Sequence, residues 1–196
     1  MIKIVGVDIS LCNIGICKAT IMQDDSIYVE KVSLIHPDKS GYNKKQVRRN
    51  SDDLRRMRWL HDELHKSIEG CDIIAVEIPV GSQSARSMVS YGGCLGVLAS
   101  IKKPLIEVTP SEVKLAGVGT KTASKEEMIQ WATTKHPNAG WKIVTRKGVK
   151  SYAKDNEHAS DALAAIYAAL ETDQLKTSMA FVKSAMKATT SRGDDR

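Results

Sequence analysis

Two apolar runs constrain this chain most, because each carries an acid where it stops. Ile2 to Val7 ends in Asp8, and Asp72 to Ile78 (DIIAVEI) ends at Glu77. The second run is continuous rather than alternating, the mark of a strand buried on both faces. Such a strand needs cover on both sides. A carboxylate at the end of a buried strand is costly unless it is paired or binds a cation. Fold and chemistry therefore have to be read together.

The segments around these runs supply the cover. Ile14 to Met22 (IGICKATIM) and Ile27 to Ile35 (IYVEKVSLI) read as two further strands, with a Gln23–Ser26 turn between them. With the first run they predict an antiparallel meander. Leu54, Trp59, Leu60, Leu64 and Ile68 follow at helical spacing, and Gly70 ends that helix. After Glu77 a Gly/Ser-rich loop leads into a helix over about Ser84–Ile101. Its Gly92, Gly93, Gly96, Ala99 and Ser100 permit close packing on a sheet or a neighbouring helix. Leu105–Thr109 is a short strand, Pro110 opens a turn of helix, and Ser124 caps a helix reaching about Lys135. Residues 137–154 are polar and basic and read as a loop. Asn156 to Leu170 is a strong alanine-rich helix. The order β-β-β-α-β-α-β-α-α predicts an α/β fold, a five-stranded mixed sheet flanked by helices. Residues 1–171 are expected to form that domain. Residues 172–196 form an extension in which Met179, Val182 and Met186 suit one amphipathic helix, with Ser191–Arg196 frayed.

Charge and cysteines narrow the function. The 196 residues carry a net +6, but unevenly. Lys39 to Arg58 holds eight Lys/Arg and two Asp, a net of +6; Lys142 to Lys154 holds five Lys/Arg and no acid; the remainder sums to −5. Two local basic stretches suit a polyanion. Lys44, Lys45, Arg48 and Arg49 in the first, and Arg146 and Lys147 in the second, are the candidate phosphate contacts. A solvated helix face and a basic loop are the plainer account. No apolar run approaches the roughly 20 residues of a membrane span. The first nine residues lack a signal-peptide layout, so a cytoplasmic protein is expected. Cys12, Cys17, Cys71 and Cys94 form no C-x-x-C and are expected to be buried thiols in a reducing compartment.

Three acids stand out. Asp8 and Glu77 end buried strands, and Asp161 sits inside an alanine-rich helix (HASDALAAIYAAL). Acids from distant segments that converge can bind a hard cation such as Mg²⁺. Two metals about 4 Å apart would activate water and stabilise the leaving oxygen in phosphodiester cleavage. Asp155, His158 and Asp161 are spaced by three and share a helix face. His158 would bind metal or act on the attacking water. Singly, His158 reads as a partly exposed helix residue, and Asp155 and Glu157 as acids at a helix N-terminus.

Taken in order, these segments resemble RuvC-type Holliday junction resolvases, in the RNase H-like superfamily. The resemblance rests on IVGVDISLCNIGI, IIAVEIPVGSQSARSMVSYGGCLGVL, VTPSEVKLAGVGTKTASKEEM and HASDALAAIYAAL. The third looks like the family's P-x-x-V-K-x-x-x-x-G-x-G-x-A-x-K stretch, and the fourth like its D/H-x-x-D-A-L-A helix. Together they cover most of residues 1–170. The resemblance implies a homodimer that binds branched DNA, above all four-way junctions, and nicks two opposed strands. It implies two Mg²⁺ per site, with Mn²⁺ expected to substitute. Asp8, Glu77 and Asp161 match the family's acidic ligands, and His158 its fourth. Lys114 and Lys125 match basic residues that contact DNA. Two departures suggest a phage or other mobile-element member acting in a bacterial cell. Asp8-Ile9-Ser10 replaces the common Asp-Pro-Gly, and Ile78-Pro79-Val80 lacks an aromatic that many cellular members carry there.

Other readings keep part of this. One is a nuclease for branched DNA generally or for RNA–DNA hybrids. Another is an inactive junction-binding module. A third is an actin-like or sugar-kinase-like nucleotide binder, for which the chain is short and lacks paired glycine-rich phosphate loops.

Overall fold

A computed structural model gives the architecture. It describes residues 1–37 and 48–191, without the side chains of Arg49 and of residues 184–191. β1 (Ile2–Ser10), β2 (Asn13–Ile21) and β3 (Ile27–Ile35) form the expected meander. After it come α1 (Arg49–Ser67), β4 (Ile73–Glu77), α2 (Ala85–Ala99) and β5 (Leu105–Val108). The strands make one mixed sheet in the order β3-β2-β1-β4-β5, with β1–β4 and β4–β5 parallel. α3 (Pro110–Val118), α4 (Lys125–Lys135), the strands β6 (Ile143–Arg146) and β7 (Val149–Tyr152), α5 (Asn156–Glu171) and α6 (Asp173–Ser191) complete the chain.

The sheet is buried on both faces because alternate side chains point to opposite sides. Val5, Val7, Ile14, Ile16, Ile74 and Val76 pack against Leu60 and Leu64 of α1, Ile68 just after it, and Cys94, Val97 and Leu98 of α2. Ile4, Cys17, Ile21, Ala75 and Ile106 pack against α5, α3 and α4 on the other face. Leu175 and Met179 of α6 join this second core, and Lys183 of α6 donates to Asp25 in the β2–β3 turn.

The structure corrects four details. Residues 137–154 are not a loop throughout: β6 and β7 form an antiparallel hairpin, with Arg146 paired to Val149. Lys147 (φ 50°) and Gly148 (φ 80°) make its turn, the left-handed pair that matches strand twist. The turn of helix at Pro110 runs for nine residues, held by a Thr109–Glu112 capping box and closed by Gly119 at φ 85°. Leu54, placed on the apolar stripe of α1, is 51% exposed. Asp53 is buried instead, and Arg86 of α2 donates to both its carboxylate oxygens, so an ion pair joins the two helices. Cys17, Cys71 and Cys94 are buried as expected, but Cys12 is exposed in the β1–β2 turn. Its Sγ lies 2.8 Å from Nη1 of Arg56.

Candidate active site

Strand pairing brings the first two acids together. β1 and β4 are neighbours in parallel register, and Asp8 is opposite Glu77 at their carboxyl ends. The third acid arrives on α5, which lies directly on β1 and β2 because two glycines let it down. A methyl group at Gly6 would sit 1.9 Å from the Ala162 carbonyl oxygen, and one at Gly15 would sit 2.0 Å from that of His158. Only a residue without Cβ tolerates such an approach. It places His158 beside Asp8: Nδ1 is 2.6 Å from Asp8 Oδ2.

The electrostatics follow from crowding. Glu77 is pushed up to about 8, first by burial, then by the charges of Asp8 and Asp161; Lys114 and His158 partly offset this. Asp161 is pushed up to about 7, by burial, then by Asp8 and Glu157, against the same two cations. His158 is raised, chiefly by its hydrogen bond to Asp8. A site in which carboxyls hold protons near neutral pH because they are buried among like charges has a deficit of positive charge.

These residues suit a divalent cation in their chemistry. Three carboxylates and an imidazole favour hard or borderline metals, and a cation would relieve the repulsion that raises Glu77 and Asp161. The cage is not assembled in advance: among the described residues, no three His, Cys, Asp or Glu side chains are gathered to hold a metal ion. Asp8 is turned onto His158 instead.

The basic candidates divide. Lys114, half-buried on α3, is near enough to lower both Glu77 and Asp161. Lys125, at the start of α4, pairs with Glu157 of α5. Arg48 precedes α1 and is exposed, and Arg146 and Lys147 are exposed at the β6–β7 turn. Lys44 and Lys45 lie outside the described residues, as does the Arg49 side chain. Asp155 belongs elsewhere than with the acids: it accepts from Lys142 Nζ at 2.6 Å and is held below the usual carboxylate range by that bond.

Two polar residues escaped sequence reasoning. Asn13 Nδ2 lies 3.1 Å from His158 Nε2, and Asn13 Oδ1 lies 2.6 Å from His36 Nδ1. With the His158 proton on Nδ1, that ring donates to Asp8 and accepts from Asn13, which fixes its tautomer and plane. Asn13 opens β2 after a two-residue turn, a place where an Asn reads only as a turn former.

No protein-family model and no curated protein sequence matches the chain. Solved structures do. Thermus thermophilus RuvC in complex with a Holliday junction substrate matches at 16% identity and a TM-score of 0.56, over 86% of this chain and 92% of that one. A second Thermus thermophilus RuvC structure matches at 17% and 0.55, over 85% and 92%. The yeast mitochondrial Holliday junction resolvase Ydc2 matches at 15% and 0.56, over 92% and 83%. The fold is thus the mixed-sheet, RNase H-like α/β fold of RuvC and related resolvases, the group that the sequence motifs resemble. Among the described residues no helix is long and apolar enough to cross a membrane.

Proposed function

We propose that this chain is a metal-dependent endonuclease that resolves four-way DNA junctions by paired nicks. The observation that carries the reading is the convergence of Asp8, Glu77 and Asp161 from three elements onto one end of the sheet, where burial and like charge hold two of them protonated toward neutral pH. Asp8, Glu77 and Asp161, with His158, would hold two Mg²⁺ or Mn²⁺. The ions, when bound, supply an activated water and stabilise the leaving 3′ oxygen. The chain's own groups do the rest. His158, oriented by Asp8 and Asn13, would serve as a further ligand or, left unbound, take or return a proton at the attacking water. Lys114 stands beside the acids as a fixed positive charge for the phosphate. Arg48, Arg146, Lys147 and Lys125 bind backbone phosphates, which positions DNA without reading its sequence.

A homodimer supplies the second nick. α2 has a surface for it: Met88, Val89 and Leu95 are exposed, and nothing lies within 4 Å of a methyl group placed at Gly92 or Gly96. Residues 1–171 make up the catalytic domain, and the 172–196 extension braces it through α6. The setting expected from the resemblance is the bacterial cytoplasm, with the gene carried by a phage or other mobile element.

The test is a panel of end-labelled four-way junction, flap, splayed-arm and RNA–DNA hybrid substrates with Mg²⁺. Symmetric nicks in opposed strands of the junction support the reading. Preferential cleavage of the hybrid, or a single nick per junction, overturns it.

A further inference from the structure

We propose that the groove between α4 and the β6–β7 hairpin is a binding site for an unpaired DNA strand, with Tyr152 stacking on a base. The inference rests on the nucleic-acid reading above and adds a substrate class to it. The groove has a volume of about 610 Å³, the size of sites that take nucleotide-sized ligands. Lys125, Glu126, Ile129, Tyr152, Lys154 and Glu157 are among its lining residues, so its two lysines are matched by two glutamates and the excess positive charge lies on the hairpin beside it. The hairpin places an aromatic and an aliphatic side chain in water: Ile143 and Tyr152 are cross-strand partners, 57% and 43% exposed. An exposed apolar pair is an unusual choice on a ribbon that otherwise holds cations. Lys142, Arg146, Lys147, Lys150 and Lys154 accompany it with no acid between them.

Cations that track a backbone, together with an aromatic face, are what an unpaired strand needs; a duplex hides its base faces and uses only the cations. The groove is also fixed relative to the acids. Asn156, buried in the first turn of α5, accepts from the Lys142 backbone N–H and donates to the Lys142 carbonyl. The Ala153 N–H donates to that same carbonyl at 2.9 Å. Both ends of the hairpin are thereby tied to the helix that carries His158 and Asp161. Lys125, which lines the groove, is within reach of the Asp161 charge. A strand lying in the groove leads toward the acidic cluster.

The test measures binding without cleavage, in chelator, by fluorescence anisotropy of a short labelled oligo-dT strand and of a duplex of the same length. Tyr152→Ala is expected to weaken the single strand about tenfold, Tyr152→Phe to keep wild-type affinity, and the duplex to change little in either. An oligonucleotide carrying 2-aminopurine should be quenched by the wild-type protein and by Tyr152→Phe, and not by Tyr152→Ala. Tyr152→Ala affinity within twofold of wild type, or an equal loss for duplex and single strand, overturns the proposal. A protein that binds the strand through Tyr152 yet cuts no substrate overturns the nuclease reading and leaves the groove standing.

Discussion

Glu77 and Asp161 hold protons over a pH range in which carboxyls in water have lost them. An unfolded chain ionises such groups near pH 4, whereas the folded site keeps them protonated toward about 8 and about 7. Between these values the native state binds more protons than the unfolded state. Stability therefore falls as pH rises through that window, and the loss is complete once pH passes about 8. We predict that metal-free protein melts at a lower temperature at about pH 8 than at about pH 5. Glu77→Gln should raise the pH 8 value by about 3 °C or more, equivalent to ~1 kcal/mol in a domain of this size. Added Mg²⁺ should recover stability in the wild type; differential scanning calorimetry in chelator and in Mg²⁺ reads both effects. Asn13 belongs to the same scale. Asn13→Ala frees the His158 ring, so turnover on junction DNA should fall about 10- to 100-fold, with KM nearly unchanged and a shifted pH–rate profile. An unaltered pH profile would reduce Asn13 to a turn residue. The acids were legible because each interrupts an apolar run. Asn13 was not, since its partner is 145 residues away and no local pattern links the two.

Among the elements, α5 decides the geometry. Its alanines allow it to lie flat, and Gly6 and Gly15 allow it to touch the strands. Gly15→Ala forces a Cβ into the carbonyl of His158, so α5 must move. A displacement of about 1 Å at a catalytic group is enough to lose about a hundredfold in rate. We predict that loss in kcat for Gly15→Ala, with a folded circular dichroism spectrum and junction affinity near wild type. Ser160 of the same helix is fully buried and its hydroxyl has no hydrogen-bond partner among the described residues. Such an orphan hydroxyl destabilises by about 1–3 kcal/mol, and Ser160→Ala should melt higher. The elements themselves were largely legible: the meander, the buried β4 and α5 follow from apolar pattern. The β6–β7 hairpin was hidden for a physical reason. Seven of its eight strand residues are exposed, so neither face writes a period-two apolar pattern into the sequence. Gly6 and Gly15 were equally silent, because each answers to a backbone more than 140 residues away.

For the whole molecule, assembly and catalysis are separable. If α2 forms the dimer surface, Leu95→Glu sets a charge in its middle while leaving the buried Cys94, Val97 and Leu98 untouched. We predict a monomer by sedimentation equilibrium that still melts cooperatively and makes single rather than paired nicks. The charge distribution takes on a different meaning at this scale. On the proposed reading, the positive stretches recognised in the sequence would meet DNA, while Asp8, Glu77 and Asp161 would form a separate pocket that takes the metal. The central claim, that Asp8, Glu77 and Asp161 are the cation-binding core of a junction nuclease, is tested most directly by cleavage of a labelled four-way junction in Mg²⁺. Asp8→Asn and Asp161→Asn would be compared with wild type, and junction binding measured on the same preparations. The account predicts no detectable cleavage by either variant, with junction affinity retained. Cleavage at the wild-type rate by either one would contradict it.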